Sequence, residues 1–435
     1  MAYFRLNLLI SCFIICFTSS VNSSVCFWNS GCPYKYFAGK TPYNSVRGDI
    51  RDSVINVKGC EAVSIWGLYK HGKSYPNNHY AAKMEGAVII RNYLQDSQAK
   101  GTCSLCAQDV ENLKNWPIDK KVFKGLNELS DEGYQEMVGL GRRLRAVFPN
   151  LLGNLEQGEY SFRPTSVDKI EDSAKAFIEG IVNKGLELDK EKDYVMASHT
   201  TCEKYEKEVK SNSKTYEEVV KYQKSSEFLV TKDRIQRRAG LDVALTDDNV
   251  TALYDLCRYT WSEIDNKPSP WCAIFTSDDL QVLEYLEDLK TYYRSGYGTP
   301  MNKIFGNIPL TDLLKGFQEA KEAKGKKITA YFSRGTAVDM TITALGIFKD
   351  EKPLTGAKRN RDRKWRSSKL SNFGANIMAV LSKCEKEGAT DYNVVFYLNE
   401  EPIKAICNEA ICPWTEFEEK MKEYSDTKLD FCKTD

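Results

Sequence analysis

Residues 61–76 read Glu61-Ala-Val-Ser-Ile-Trp-Gly-Leu-Tyr69-Lys70-His71-Gly72-Lys73-Ser74-Tyr75-Pro76. Positions 61–69 are a mostly apolar run of strand length, which predicts a buried strand. The run ends in a Lys-His-Gly-Lys cluster. In an α/β sheet, ligands gather where strands finish at their carboxyl edge. A histidine there, flanked by two cations, is arranged to meet an anion, and Gly72 lets the backbone approach closely. A phosphate between Lys70 and Lys73 would face the imidazole. The imidazole could attack phosphorus while the lysines offset charge on the equatorial oxygens. Taken by itself, the motif reads more simply as a surface loop with one histidine and two lysines.

Working outward, residues 80–95 have helical spacing. So do residues 131–147, which open after Ser130, an N-cap residue type. Residues 171–184 form another amphipathic helix, and 186–320 is helix-like almost throughout and densely charged. Residues 326–332 read as a strand leading into a helix over 336–347. Two further strands are expected at 378–381 and 393–398. Strands and helices alternate at both ends with a helical block between, which predicts an α/β core formed by 24–185 and 321–435. Residues 186–320 would be an inserted, mostly helical domain. The basic run Lys358–Arg366 reads as a solvated loop.

The 435 residues carry 61 Lys+Arg against 60 Asp+Glu, with 42% hydrophobic and 28% charged positions. That excludes a disordered chain. A net charge of +1 excludes a chain built as a whole to hold nucleic acid or an anionic membrane. Attraction for anions must be local. Nor do the aromatic residues show a spacing that demands a nucleic-acid stacking platform. Arg5, the apolar residues 8–17, and small residues ending at Ser23 predict a signal peptide over 1–23. Ten apolar residues fall short of the ~20 that a membrane span needs. No later stretch approaches that length, so the expectation is a soluble, secreted, extracellular protein. Its last residues, Phe431–Asp435, carry no retention signal of the Lys-Asp-Glu-Leu kind.

Of 14 cysteines, Cys12 and Cys16 would leave with the signal. The even remainder in a secreted chain predicts disulfides, though not which cysteine pairs with which. Cys103-Ser-Leu-Cys106 also permits a redox motif or half a zinc site. There is no second such pair and the chain has only three histidines, so disulfide bonding is favoured. No cofactor or metal is expected. Asn249-Val-Thr251 is a glycosylation sequon and marks a surface loop. His79 reads as solvent-facing near the start of a helix, and His199 as a loop residue close to a disulfide.

The segment around His71 resembles the Arg-His-Gly-x-Arg-x-Pro motif of the histidine acid phosphatases, and more closely the branch of multiple inositol polyphosphate phosphatases. Ala38–Tyr43, Leu129–Gly133 with Leu140–Leu144, Phe162–Phe177, Asp278–Lys290, Gly296–Gly298, Gly346–Asp350 and Cys407–Cys412 resemble further blocks of that branch, in order. The resemblance spans nearly the whole mature chain. It implies an α/β/α sandwich with a helical insertion, no cofactor, and a small phosphorylated ligand of the inositol polyphosphate class. It also implies a phosphohistidine mechanism with His71 as nucleophile. Lys70 and Lys73 stand where the family has phosphate-clamping arginines, Lys169 where it has a third, and Arg163 is retained.

One departure bears on the chemistry. Where the branch has His-Ala-Glu, whose acid protonates the leaving alcohol, this chain has Arg334-Gly335-Thr336. General acid catalysis contributes roughly 10²–10⁴-fold, so turnover of alkyl phosphates should fall by about that much. Asp339, one turn further on, is a possible surrogate acid. Gaining Arg334 and losing a carboxylate also makes the site more cationic. A catalytically impaired protein that binds polyphosphorylated ligands is therefore the competing expectation.

Overall fold

A computed structural model of the chain describes residues 34–117, 120–182, 186–189, 195–261, 268–386, 388–425 and 427–433. The expected signal peptide, Cys26 and Cys32 lie outside the described residues. Seven strands form one mixed sheet: β1 (Cys60–Lys70), β2 (Tyr160–Pro164), β3 (Ile328–Ser333), β4 (Asn376–Lys386), β5 (Ala389–Leu398), β6 (Glu401–Pro402) and β7 (Ile411–Pro413). Their order is β2-β3-β1-β4-β5-β6, with β7 also on β5. β2, β3 and β1 run parallel, whereas β4 and β5 continue the sheet antiparallel.

Alternation along each strand divides the core into two layers. Ile65 and Tyr69 of β1, Phe332 of β3 and Val380 of β4 face one side, where helices Asp131–Val147 and Asp168–Ile181 supply Met137, Leu144, Phe177 and Ile181. Trp66 and Leu68, Tyr331, Ala379 and Phe396 face the other. Burial on both faces explains why residues 61–69 read as a continuous apolar run. Both faces being covered by helices makes the expected three-layer α/β arrangement.

From residue 195 to residue 321 every described element is helical. Helix Ser277–Arg294 contributes Leu280, Leu283 and Leu289 to the same buried cluster that holds Trp66 and Phe396 of the sheet. The helical block and the sheet thus share a core. Among the described residues no helix is long and apolar enough to cross a membrane.

Disulfides join Cys60–Cys384, Cys202–Cys432, Cys257–Cys272 and Cys407–Cys412. The first crosses directly opposed positions of β1 and β4. Cys106 is disulfide-bonded, but Cys103 is a free thiol, so the two are not bonded to each other.

Two local expectations need correction. The basic run is not a solvated loop: Arg359 and Arg363 are buried and ion-paired, Arg363 to Glu284 at 2.9 Å and Asp288 at 2.6 Å. The sequon is not in a loop either. Asn249 sits in the first turn of helix Asp247–Tyr259, where it closes a capping box with Thr246.

Candidate active site

The parallel strands bring three chain segments to one sheet edge. Lys70 lies opposite Ser333, and Pro164 opposite Phe332. The residues that follow each strand therefore meet: His71 after β1, Arg334 after β3, and Val167 with Lys169 after β2. The His71 amide donates to the Ser333 carbonyl at 3.2 Å, and the Thr165 amide to the Phe332 carbonyl at 3.0 Å. These bonds pin the loops as they leave the sheet. A cavity of about 530 Å³ opens there, lined by Lys70, His71, Lys169, Arg334, Gly335, Thr336 and Asp339 among others.

His71 is buried. Its Nδ1 lies 2.8 Å from the Gly72 carbonyl oxygen. A carbonyl can only accept, so Nδ1 carries the proton and Nε2 keeps its lone pair. Burial, and then Lys169 and Lys70, hold the imidazole well below its ordinary pKa. The ring is thus neutral, with a free lone pair, in a cationic site.

Lys70 is buried, and its ammonium donates to the carbonyls of Gly39 at 2.6 Å and Ser371 at 2.8 Å. Burial lowers its pKa to about 7, with Asp339 acting in the opposite direction. One N–H remains for a ligand. Lys169 reaches Ser74 Oγ at 3.3 Å and is lowered to about 8 by burial and by Arg334.

Asp339 lies on helix Gly335–Leu345, which starts directly after Arg334. It is buried in the cavity wall, and its Oδ2 accepts from Ser295 Oγ at 2.8 Å. Burial raises its carboxyl to about 6 against the pull of Lys70. It is a protonatable group in the same cavity as His71.

Two expected phosphate ligands are placed elsewhere. The Lys73 ammonium donates to the Trp261 carbonyl at 2.5 Å, sits over the Trp261 ring at 3.8 Å, and pairs with Glu132 at 3.5 Å. It does not line the cavity of His71. Arg163 lies within β2, opposite Tyr331, and its Nε donates to Asp189 at 2.8 Å. It lines a different, smaller cavity with Trp66 and Asp312. One residue short of the end of β2, it is turned to Asp189. Gly72 does permit a close approach, but to protein: a Cβ there would stand 2.3 Å from the Gly133 carbonyl oxygen.

The cavity also holds cations that the sequence did not single out: Lys40, Arg258, Lys290 and Arg294. Lys40 is lowered by burial and then by Lys70 and Lys169. With Lys70, Lys169 and Arg334 they make seven cationic side chains against two carboxylates, Asp339 and Glu287. Burial opposes ionisation of Glu287, but Lys290 and Arg258 outweigh it and hold the group at about 2. Lys40 lies inside the Ala38–Tyr43 block quoted above, which was its available signal. Arg258 was visible only as a charge in a largely apolar helical stretch. The other two histidines take no part at His71: His79 is exposed, and His199 packs against Tyr205 and Phe305. Among the described residues no group of three or more His, Cys, Asp or Glu side chains is disposed to hold a metal ion.

A mixed sheet with a neutral histidine at a parallel strand's carboxyl end, among convergent cations, defines a protein of the histidine phosphatase kind. The chain belongs to the histidine phosphatase superfamily (branch 2), whose family model matches residues 67–399. It is 29% identical to multiple inositol polyphosphate phosphatase 1 of Drosophila melanogaster, over 92% of this chain and 88% of that protein. It is 27% identical to the Homo sapiens protein of the same name, with coverage of 92% and 88%. Among solved structures, the phytase from D. castellii superposes with a TM-score of 0.72 at 17% identity, over 92% of this chain and 87% of that one. The Bifidobacterium longum multiple inositol polyphosphate phosphatase, in complex with inositol hexasulfate, superposes with a TM-score of 0.68 at 12% identity, over 92% of this chain and all of that one.

Proposed function

We propose that the protein is a secreted phosphomonoesterase acting on inositol polyphosphates or similar phosphomonoesters, with His71 as nucleophile and Asp339 as proton donor. The observation that carries this reading is the neutral, buried imidazole of His71 sharing one cation-rich cavity with a protonatable carboxyl. The named relatives support the substrate class. In the reaction, Nε2 attacks phosphorus and forms the N–P bond while the ester P–O bond breaks. The leaving alkoxide takes the proton of Asp339. Water then gives a proton back to Asp339 and attacks phosphorus, breaking the N–P bond, releasing phosphate and restoring the imidazole. Lys169, Arg334 and the remaining N–H of Lys70 would offset charge on the transferring oxygens. Export through residues 1–23 and a glycan on Asn249 belong to the same reading.

A second reading, a catalytically impaired protein that binds polyphosphorylated ligands, is favoured by the two motif lysines. The Lys73 ammonium is turned to Trp261, and two of the three N–H groups of Lys70 go to carbonyls. One comparison separates the readings: phosphate release from inositol hexakisphosphate and from an aryl phosphate, by the wild type and by His71→Ala. The aryl ester has a leaving group that needs no acid. Turnover of both by the wild type, at least 10²-fold above the variant, is expected. Turnover of neither above the variant's background would sink the enzymatic reading. Binding of inositol hexakisphosphate without release would then support the second.

A further inference from the structure

The loop over residues 371–375 lies behind the part of the cavity wall that carries Lys70 and His71. Its backbone serves both residues. The Ser371 carbonyl accepts from the Lys70 ammonium at 2.8 Å, and the Ala375 carbonyl from the Lys70 amide at 2.7 Å. The Gly374 amide donates to the His71 carbonyl at 3.1 Å. Between them stands Phe373, fully buried and absent from the cavity lining. Its amide donates to the Thr41 carbonyl at 3.1 Å, which ties the loop to the segment that carries Lys40.

Three groups of the site share the Phe373 ring. The Lys70 ammonium lies over it at 5.0 Å from the centroid and the Lys40 ammonium at 5.3 Å, while the His71 ring is 6.1 Å away. Lys40 has a second ring, Tyr259, at 5.3 Å; for Lys70, Phe373 is the one ring among the described residues. An aromatic face carries partial negative charge and attracts an ammonium that has lost its water. That attraction meets a need here, because burial works against the charge of both lysines. Around Lys70, Asp339 on helix Gly335–Leu345 and Glu136 on helix Asp131–Val147 favour the ammonium. Lys169 on helix Asp168–Ile181 and Arg258 on helix Asp247–Tyr259 oppose it, and Lys40 and Lys70 repel each other.

We propose that Phe373 is a positioning residue of the His71 site, whose ring keeps the ammoniums of Lys70 and Lys40 charged where water is scarce and fixes them beside the imidazole. The inference rests on the function proposed above and deepens it. Phe373 meets no ligand; it acts through the lysines, and chiefly through Lys70.

The test drains the ring and keeps its shape. Trifluorophenylalanine replaces Phe373 in the full mature chain, and the same replacement of Phe417, buried on helix Trp414–Lys422, is the control. Two quantities are measured at pH 5 and pH 8: kcat/KM for an aryl phosphate, whose leaving group needs no acid, and binding of inorganic phosphate by calorimetry. A weaker attraction lets Lys70 give up its proton at lower pH, so the alkaline limb near pH 7 should move about one unit towards acid. Against the wild type, both quantities should fall roughly tenfold at pH 8 and stay within about twofold at pH 5. The Phe417 replacement should change neither. A loss at pH 5 as large as at pH 8, no loss at pH 8, or an equal loss from Phe417 would each overturn the proposal, since packing alone has no such pH signature. If the wild type releases no phosphate, the binding arm still decides. The same pattern there would sink only the enzymatic reading, whereas phosphate that fails to bind the wild type at pH 5 would sink both.

Discussion

At the scale of single residues, protonation decides what the site can do. His71 must be neutral to attack, and burial with Lys169 and Lys70 holds its pKa well below the ordinary imidazole value. Asp339 must be protonated to donate, and burial lifts its carboxyl from 3.8 to about 6. Lys70 keeps its charge only below about 7. The three conditions overlap on the acid side of neutrality. Turnover of an alkyl phosphate should therefore fall as pH rises through about 6, and steady-state kcat against pH checks this. Asp339→Asn should lower alkyl turnover by about 10²–10⁴-fold, lower aryl turnover far less, and abolish the limb near pH 6. An equal loss on both esters, with the limb retained, would show that Asp339 only holds the wall in shape. Stability carries the same signature. The folded pKa lies above the unfolded value, so the native state binds the extra proton between about 4 and 6. The wild type should lose stability relative to Asp339→Asn as pH climbs through that window.

At the scale of elements, the nucleophile is positioned by a contact between a loop and a helix. Helix Asp131–Val147 is capped by Ser130, whose Oγ accepts from the Gly133 amide at 3.1 Å. Its first turn then presses against the loop after β1. A Cβ on Gly133 would lie 2.1 Å from the Lys73 carbonyl oxygen, and backbone cannot swing aside as a side-chain tip can. Glu136, one turn on, accepts from the Lys73 amide at 2.9 Å and the Tyr43 amide at 3.1 Å. Gly133→Ala should thus cost about 1–3 kcal/mol in urea unfolding. It should also reduce aryl phosphate turnover among the molecules that remain folded, because the shift is relayed to His71. Gly139→Ala on the same helix is the control. Its Cβ would meet only the tip of Arg143 at 3.1 Å, so helix propensity should leave it neutral or up to about 1 kcal/mol more stable. The strands read over 61–69, 326–332, 378–381 and 393–398 and the place of His71 were legible because burial writes an apolar run and a strand must stop somewhere, whereas the short β2, β6 and β7 were not read. The direction of Lys73 was not, since a four-carbon stem can swing either way and the choice fell to Trp261 and Glu132. The placement of Arg163 was hidden too, because no strand was read over 160–164. Arg163 follows Phe162, which faces the core, in a strand that ends at Pro164, so alternation places it on the opposite face, short of the edge.

At the scale of the whole molecule, the basic run is the clearest case of information that sequence proximity hides. Residues 358–366 read as solvent-facing because their own neighbours are charged. The partners of Arg363 and Arg366 lie 75 to 82 positions earlier, on helix Ser277–Arg294, so the run straps that helix down where it supplies Glu287, Lys290 and Arg294 to the cavity. Arg363 bonds Glu284 and Asp288, and all three are buried. Ser367 donates its amide to Asp288 at 2.8 Å, and the Ser368 hydroxyl donates to Glu284. Burial and then Glu284 raise Asp288 to about 6, with Arg363 pulling the other way. Removing the arginine leaves two buried carboxylates facing one another with only Arg366, on Glu284, to offset them. Arg363→Met keeps the volume and deletes the charge. It should destabilise the fold by about 3–5 kcal/mol at pH 8, measured by denaturant unfolding. The sign of its pH dependence follows from Asp288. Without Arg363 the Asp288 carboxyl loses the cation that pulls it down, so at pH 5 it takes up a proton and the repulsion is relieved. The loss at pH 5 should therefore be smaller than at pH 8. A loss that is the same at both values would mean that the arginine acts through its packing and not through its charge.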